Sequence, residues 1–287
     1  MDLCNEHDIS RLLKKHGFRF SKSMGQNFLI DADVPEKIAS GSGIDESFGV
    51  LEIGPGIGAL TAALSRRAQK VLSVELDNRL LPLLQETVSD CQNVKVISGD
   101  IMKLDIDKVV RAEMPGLRWA VCANLPYNIT TPVLTALIDT QLFETITVMV
   151  QREVALRMCA AAGTADYGAI TVYVKYHSEP EILFDVPPGS FIPQPKVTSA
   201  VVTLKMREGS PEEIVNEAMF FRVVRASFAQ RRKTLVNALE SGFSGKLSKE
   251  TLKQIIADCG FNVMTRGETL DISGFAAVAR RIREMLE

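Results

Sequence analysis

Asn124-Leu125-Pro126-Tyr127 follows the apolar run Trp119-Ala120-Val121-Cys122-Ala123, which reads as a buried strand. These residue types, in this order, suit methyl transfer to an amine on a planar base. The lone pair of an exocyclic amine is drawn into its ring, and a site must return it to the nitrogen. The side-chain oxygen of Asn124 and a backbone carbonyl beside the proline, that of Leu125 or Pro126, can each accept one amine hydrogen and favour a pyramidal nitrogen. Tyr127 offers the base a stacking face. Taken alone, the tetrapeptide serves equally well as a strand-to-helix turn, with Asn128, Thr130 or Thr131 capping the next helix.

Upstream, Phe48-Gly49-Val50-Leu51-Glu52-Ile53 runs into Gly54-Pro55-Gly56-Ile57-Gly58-Ala59 and then a helical pattern of Leu60, Leu64 and Ala68. Strand, glycine turn and helix is a nucleotide-binding pattern: Gly54 and Gly56 let backbone approach a ligand, and the helix start favours negative charge. Gly54-x-Gly56-x-x-Ala59 also fits a dinucleotide fingerprint, which keeps a nicotinamide enzyme open. Three acids favour S-adenosylmethionine. Glu52, inside the strand, would face a ligand amino group, which a pyrophosphate lacks. Glu75, ending Val71-Leu72-Ser73-Val74-Glu75, suits ribose hydroxyls, although dinucleotide sites use the same device. Asp100, ending Val94 to Gly99 and followed by Ile101, suits an adenine amine. Asp77 and Asp105 read instead as a helix cap and a solvated loop acid. Glycine turn, acid, acid and tetrapeptide stand in order at the carboxyl ends of successive strands, along one crevice of a doubly wound sheet.

On these residues the chain resembles the rRNA adenine N6-dimethyltransferase family, on its bacterial small-subunit side. The likeness spans nearly the whole chain. It includes Ser23-Met24-Gly25-Gln26-Asn27-Phe28-Leu29, the stretch from Pro187 through Phe191 to Val197, and Arg231-Arg232-Lys233-Thr234-Leu235. The resemblance implies that Asn27 and Leu29 close over the methionine end of the cofactor and that Gly54 lies beneath it. It places Glu75 on the ribose, Asp100 on the cofactor adenine and Asn124 between methyl donor and target amine, with Tyr127 and Phe191 sandwiching a flipped adenine. It also implies dimethylation of two adjacent adenosines in the hairpin near the 3′ end of small-subunit rRNA, with S-adenosyl-L-homocysteine as product. The substrate would be an immature ribosomal particle, and we expect a monomer. Without the resemblance, Gly25-Gln26-Asn27 reads as a polar loop and Phe191 as core.

The elements that must hold these residues follow from the pattern of apolar positions. The segment up to Gly43 reads as helical, with Ile9, Leu12 and Leu13 on one face. Strand and helix units alternate from Gly49 to about Ala161, with Ile146 to Val150 a buried strand and Gln151 to Ala162 a helix. Ala169 to Tyr176 fits both periods, and Ile182 to Val186 and Ala200 to Leu204 complete the sheet. Strand chemistry ends at Arg207-Glu208-Gly209-Ser210-Pro211, a linker. Beyond it, Phe220, Val223, Val224 and Phe228 form one helical stripe, and Leu252, Ile255 and Ile256 another. Ser273 reads as the cap of a last helix through Leu286. The expected architecture is α/β: a Rossmann-like, doubly wound S-adenosylmethionine-dependent methyltransferase domain over 1–207 and a small all-α domain over 208–287.

With 46% hydrophobic and 24% charged residues in 287, the composition is that of a globular protein. There is no apolar run of membrane-spanning length, and the start Met1-Asp2-Leu3-Cys4-Asn5-Glu6 is no signal peptide. Five scattered cysteines, Cys4, Cys91, Cys122, Cys159 and Cys259, form no metal-like pair and read as reduced thiols in the cytoplasm; the chemistry requires no metal. A net charge of −2 is low for an RNA binder. Its distribution is uneven: Arg222, Arg225, Arg231, Arg232 and Lys233 lie in an acid-free stretch, as do Arg11, Lys14, Lys15, Arg19 and Lys22. A solvated helix face explains most such runs; the resemblance favours phosphate contacts for the first. Three alternatives remain: an antibiotic-resistance type dimethyltransferase of large-subunit rRNA, a noncatalytic RNA-binding assembly or transcription factor on the same fold, and the nicotinamide enzyme. The last lacks a convincing His or Tyr-Lys partner for hydride transfer.

Overall fold

The computed structural model describes residues 3–21, 25–209, 211, 214 and 216–287. Met1 and Asp2 of the acidic start, Lys22 of the basic run, Ser23 and Met24 of the N-terminal motif and Ser210 of the linker lie outside the described residues. The elements run α1 (Glu6–Lys15), β1 (Phe28–Leu29), α2 (Asp33–Gly41), β2 (Phe48–Ile53), α3 (Ala59–Ser65), β3 (Lys70–Glu75), α4 (Leu81–Thr87), β4 (Val94–Ser98), α5 (Ile106–Glu113) and β5 (Arg118–Asn124). They continue with α6 (Thr130–Asp139), β6 (Thr145–Gln151), α7 (Arg152–Cys159), α8 (Ala169–His177), β7 (Ser178–Val186), β8 (Phe191–Ile192) and β9 (Ser199–Met206). Four further helices follow: α9 (Glu217–Phe228), α10 (Leu235–Gly242), α11 (Lys249–Asp258) and α12 (Ile272–Leu286). None of the described helices is long and apolar enough to cross a membrane.

Seven strands form one sheet in the order β4-β3-β2-β5-β6-β9-β7. The pairs β3/β4, β2/β3, β2/β5 and β5/β6 are parallel and β6/β9 is antiparallel. The chain therefore leaves β2 toward one edge and returns on its other side at β5. That reversal opens a crevice at the carboxyl ends of β2 and β5, where doubly wound sheets bind ligands. Val34, Ile38 and Ala39 of α2 and Leu60, Ala63 and Leu64 of α3 share one core with Val50, Val71, Ala120 and Cys122 of the sheet. Ile9, Leu12 and Leu13 of α1, a stripe at helical spacing, pack with Leu80, Leu83, Leu84 and Phe28 in a second core. The N-terminal segment, read as helical up to about Gly43, also contains β1, which pairs antiparallel with β8.

The chain divides into two compact units, 1–155 with 181–206, and 156–180 with 207–287. The linker near Arg207 is thus one boundary, but 156–180 belongs with the helical unit, contrary to a single cut there. Aromatic burial accounts for this. Tyr176, from the segment whose period was ambiguous and which is helical, lies tilted against Phe220 at 5.4 Å and edge-on to Phe221 at 4.8 Å. The Tyr167 ring lies 5.9 Å from that of Phe228 and its hydroxyl donates to Leu270 O at 2.8 Å. The last helix is capped by Asp271, which accepts from Gly274 N, and not by Ser273. Gly242, ending α10, sits against α9 so closely that a Cβ there would collide with that of Ala226. Gly242→Ala gains at most about 1 kcal/mol of helix propensity and loses about 1–3 kcal/mol to overpacking. A lowered denaturation midpoint of this variant checks that balance.

Candidate active site

The floor of the crevice is built by β2. Glu52 lies on the same face of the strand as Val50, under α3, and is 1% exposed. Its Oε2 accepts from the Thr61 hydroxyl at 2.7 Å and the Ser73 hydroxyl at 2.6 Å. Its Oε1 is buried and has no hydrogen-bond partner among the described residues. Burial pushes the carboxyl up from 4.5 to about 7, against the pull of the two hydroxyls. Above it the turn takes a left-handed conformation at Gly54 (φ 67°) and Gly56 (φ 62°), which glycine adopts without strain. A Cβ at Gly56 would meet the Phe28 ring at 3.2 Å, so glycine also lets the N-terminal strand lie close.

Glu75 ends β3 beside this turn. Its Oε1 accepts from Asp77 N at 2.8 Å and its Oε2 from Gly56 N at 3.3 Å. Burial raises its pKa, and those backbone donors oppose the rise. Asp100 follows β4; its Oδ1 accepts from Met102 N at 3.0 Å and its Oδ2 lies 3.5 Å from Lys103 Nζ. Ile101 lines the same pocket. The other two acids both depart from the roles read for them. Asp105 caps α5 through Lys108 N, whereas Asp77 is buried and receives Gln26 and Arg79.

Asn124 closes the opposite wall at the end of β5. Its Nδ2 donates to Asn27 O at 3.3 Å, which commits the NH₂ end of the amide to the N-terminal segment. The Pro126 carbonyl accepts from Ile129 N at 3.2 Å and from the Thr130 hydroxyl at 3.1 Å. Thr130 thus does not cap α6, which has no side-chain cap. Tyr127 is pinned by a 2.6 Å hydrogen bond between its hydroxyl and that of Ser199, and burial raises its pKa. Gly25 to Leu29, Glu52, Gly54, Gly56, Glu75, Asp100, Ile101 and Asn124 to Tyr127 all line one pocket, with about 1190 Å³ of empty space including its mouth. Phe191 does not join them. Its backbone pairs with Leu29, but its ring is 3% exposed and packs with Val34, Ile38 and Val186, so it presents no stacking face in this structure. Burying a large apolar ring in a core outweighs holding it in water.

In the helical unit the five candidate cations divide. Arg222 places its guanidinium 4.1 Å from the centre of the Phe243 ring and donates to Gly242 O at 3.3 Å. Arg231 donates to Ala165 O at 2.7 Å and Tyr167 O at 3.2 Å. Arg225, Arg232 and Lys233 are exposed and have no ion-pair partner among the described residues. The helix ends at Phe228, so Arg232 does not extend a face shared with Arg222 and Arg225.

Acids on one side of this pocket and the Asn124 amide on the other lie at the carboxyl edge of a sheet of the Rossmann-like methyltransferase class. Residues 17–277 match the family described as ribosomal RNA adenine dimethylase, and the chain belongs to that family. It is 43% identical over 288 residues to Ribosomal RNA small subunit methyltransferase A of Geobacillus sp. (strain WCH70), covering 99% of each chain. With the protein of the same name from Clostridioides difficile (strain 630) it shares 42% over 284 residues, 98% of each. Among solved structures, a dimethyladenosine transferase from Plasmodium falciparum superposes with a TM-score of 0.74 at 26% identity, over 90% of this chain and 98% of that one. The 23S rRNA methyltransferase ErmE does so with 0.68 at 25%, over 89% and 99%.

Sequence reading missed Thr61, Ser73, Gln26 and Ser199. A hydroxyl inside the buried run Val71-Leu72-Ser73-Val74 was a signal for the second; Ser199 gave none, since its partner is 72 positions away. Glu52 carries a pH signature. Its carboxyl binds a proton more tightly in the folded chain than in the unfolded one. The ligand-free protein should therefore be most stable at and below about pH 4.5 with respect to this group, and lose that contribution as pH rises through about 7. The difference is on the order of 3 kcal/mol. Glu52→Gln should flatten this part of the stability profile in denaturation measured across that window; an unchanged profile rejects the assignment.

Proposed function

We propose that this chain dimethylates N6 of two adjacent adenosines in the hairpin near the 3′ end of small-subunit rRNA, using S-adenosylmethionine and acting on an immature ribosomal particle. The observation that carries the reading is the Asn124 amide. With its NH₂ end on Asn27 O, its oxygen is the end left for a target amine. Pro126 O is engaged by α6, which makes the Leu125 carbonyl the second acceptor. Two such acceptors pyramidalise the nitrogen and direct its lone pair, so positioning and electrostatics lower the barrier without a strong base.

The residues fit the cofactor on their own evidence. Glu52 has a buried oxygen without a partner, which an ammonium would satisfy, and Gly54 and Gly56 open the backbone above it. Glu75 would accept from ribose hydroxyls, Asp100 from the adenine amine with Ile101 against the ring, and Asn27 and Leu29 would cover the methionine end. When bound, S-adenosylmethionine supplies an electrophilic methyl group. The target base leaves its stack at a cost of a few kcal/mol, smaller for loop adenosines. Tyr127, its hydroxyl fixed on Ser199, offers one stacking face. The proton leaves the nitrogen after methyl addition has made it strongly acidic.

Asn124→Ala should keep cofactor affinity and lose about 10²-fold or more in methyl transfer to immature small subunits, followed by mapping of the modified adenosines. Near-normal turnover would reject the role. For RNA, Arg231 is occupied by backbone carbonyls, whereas Arg232 and Lys233 are exposed with no ion-pair partner among the described residues. Arg232→Ala with Lys233→Ala should lower the salt slope of log K for RNA by roughly 2, one for each phosphate no longer neutralised, with cofactor affinity intact. Arg231→Ala should act first on the thermal stability of the helical unit. A double variant with the parent salt slope rejects this surface.

A further inference from the structure

The NH₂ end of Asn124 is held by a backbone carbonyl, so whatever positions Asn27 O also decides which end of the catalytic amide faces the amine. Asn27 follows Gln26, whose side chain uses both of its ends. Oε1 accepts from Ser21 N at 3.2 Å, and Nε2 donates to Asp77 Oδ2 at 2.8 Å. Asp77 is 6% exposed and firmly anchored. Arg79 Nε reaches its Oδ1 at 2.8 Å, Arg79 Nη2 its Oδ2 at 2.6 Å, and the same guanidinium lies 5.2 Å from the centre of the Phe18 ring. These hydrogen bonds hold Asp77 down at about 2, so it is an anion throughout the working range. The Asp77 backbone N–H in turn donates to Glu75.

We propose that the Gln26–Asp77 hydrogen bond is a tie that sets the Asn27 carbonyl against Asn124 and thereby orients the amide oxygen toward the target amine, making Gln26 and Asp77 positioning residues for methyl transfer. This rests on the proposed function. It links the turn after β3 that carries Asp77 to the N-terminal segment whose Asn27 carbonyl meets Asn124, through one side chain that is donor at one end and acceptor at the other. The glutamine amide meets both demands while Asp77 is charged. β1 keeps its pairing with β8 when the tie is broken, but Asn27, just ahead of it, loses the anchor on its N-terminal side, and the Asn124 amide is free to turn its NH₂ group toward the amine. An N–H donor aimed at an N–H donor repels the substrate it should orient.

The test reverses the polarity of the bond. Gln26→Glu alone sets a carboxylate against Asp77; Gln26→Glu combined with Asp77→Asn restores one donor and one acceptor with the roles exchanged, and leaves an amide oxygen for Arg79. The measurement is the single-turnover rate of methyl transfer at saturating S-adenosylmethionine, with cofactor affinity and melting temperature read in parallel. Gln26→Glu should slow transfer about tenfold or more, and the double exchange should recover most of that loss. Gln26→Ala should be slow as well and gain nothing from Asp77→Asn, which guards against a Gln26→Glu protein that fails to fold. A wild-type rate in Gln26→Ala, or a double exchange no faster than Gln26→Glu alone, overturns the tie. Failure of the underlying reading looks different, because then the unmodified chain itself transfers no methyl group to adenosine.

Discussion

A carboxylate buried under a parallel sheet's glycine turn is the constraint on which the pocket rests. Placing a charge there without compensation costs several kcal/mol, and the chain compensates on one side only. Thr61 from α3 and Ser73 from β3 both serve the same oxygen of Glu52 and so fasten three elements beneath the pocket. The other oxygen is left with no partner among the described residues. Had the floor been satisfied on both sides, it would be an ordinary buried polar cluster. Half satisfied, it leaves one buried oxygen that a ligand's hydrogen-bond donor would satisfy, and the turn conformation at Gly54 and Gly56 gives such a ligand room to come close.

The same division of labour recurs across the crevice. A strand end supplies the position of each functional side chain, and a second element decides which of its atoms remain available. Asn124 ends β5, but the N-terminal segment takes its NH₂ group. Pro126 begins the connection to α6, and the helix takes its carbonyl through Ile129 and Thr130, which separates two backbone oxygens that are adjacent in the chain. Tyr127 projects from that connection, and Ser199 at the start of β9 fixes its hydroxyl. Chemistry here is selected by subtraction: the atoms left over from internal hydrogen bonding are the ones that can meet a ligand.

This explains what could be read from the sequence. Glu52, Glu75, Asp100 and Asn124, at or near the carboxyl ends of their strands, were legible because buried runs, glycine turns and nearby polar residues are local patterns, and a doubly wound sheet sends all such ends to one edge. The partners were not legible. Gln26 and Asp77 are 51 positions apart, and nothing local tells a helix-capping aspartate from one that receives a glutamine across a pocket. Phe191 differs: family likeness puts its ring on the base, whereas in this structure it is buried in the core with Val34 and Ile38. The helix of Ala169 to His177 fitted two periods because its burial is decided by Phe220 and Phe221, from a part of the chain beyond the linker.

Charge follows the same rule. A chain with 33 basic and 35 acidic residues has no general attraction for RNA. What matters is which cations are already occupied. Arg79, Arg118, Arg152 and Arg281 are in salt bridges of 2.5 to 3.1 Å, and Arg222 and Arg231 are held by a ring and by backbone carbonyls. Exposed ion pairs add little stability, commonly below about 1 kcal/mol, yet they do neutralise the surface that carries them. Arg225, Arg232 and Lys233 are exposed with no such partner among the described residues, so their charge is available to phosphate. Net charge averages over paired and unpaired groups, and only the unpaired ones release counterions when a polyanion arrives.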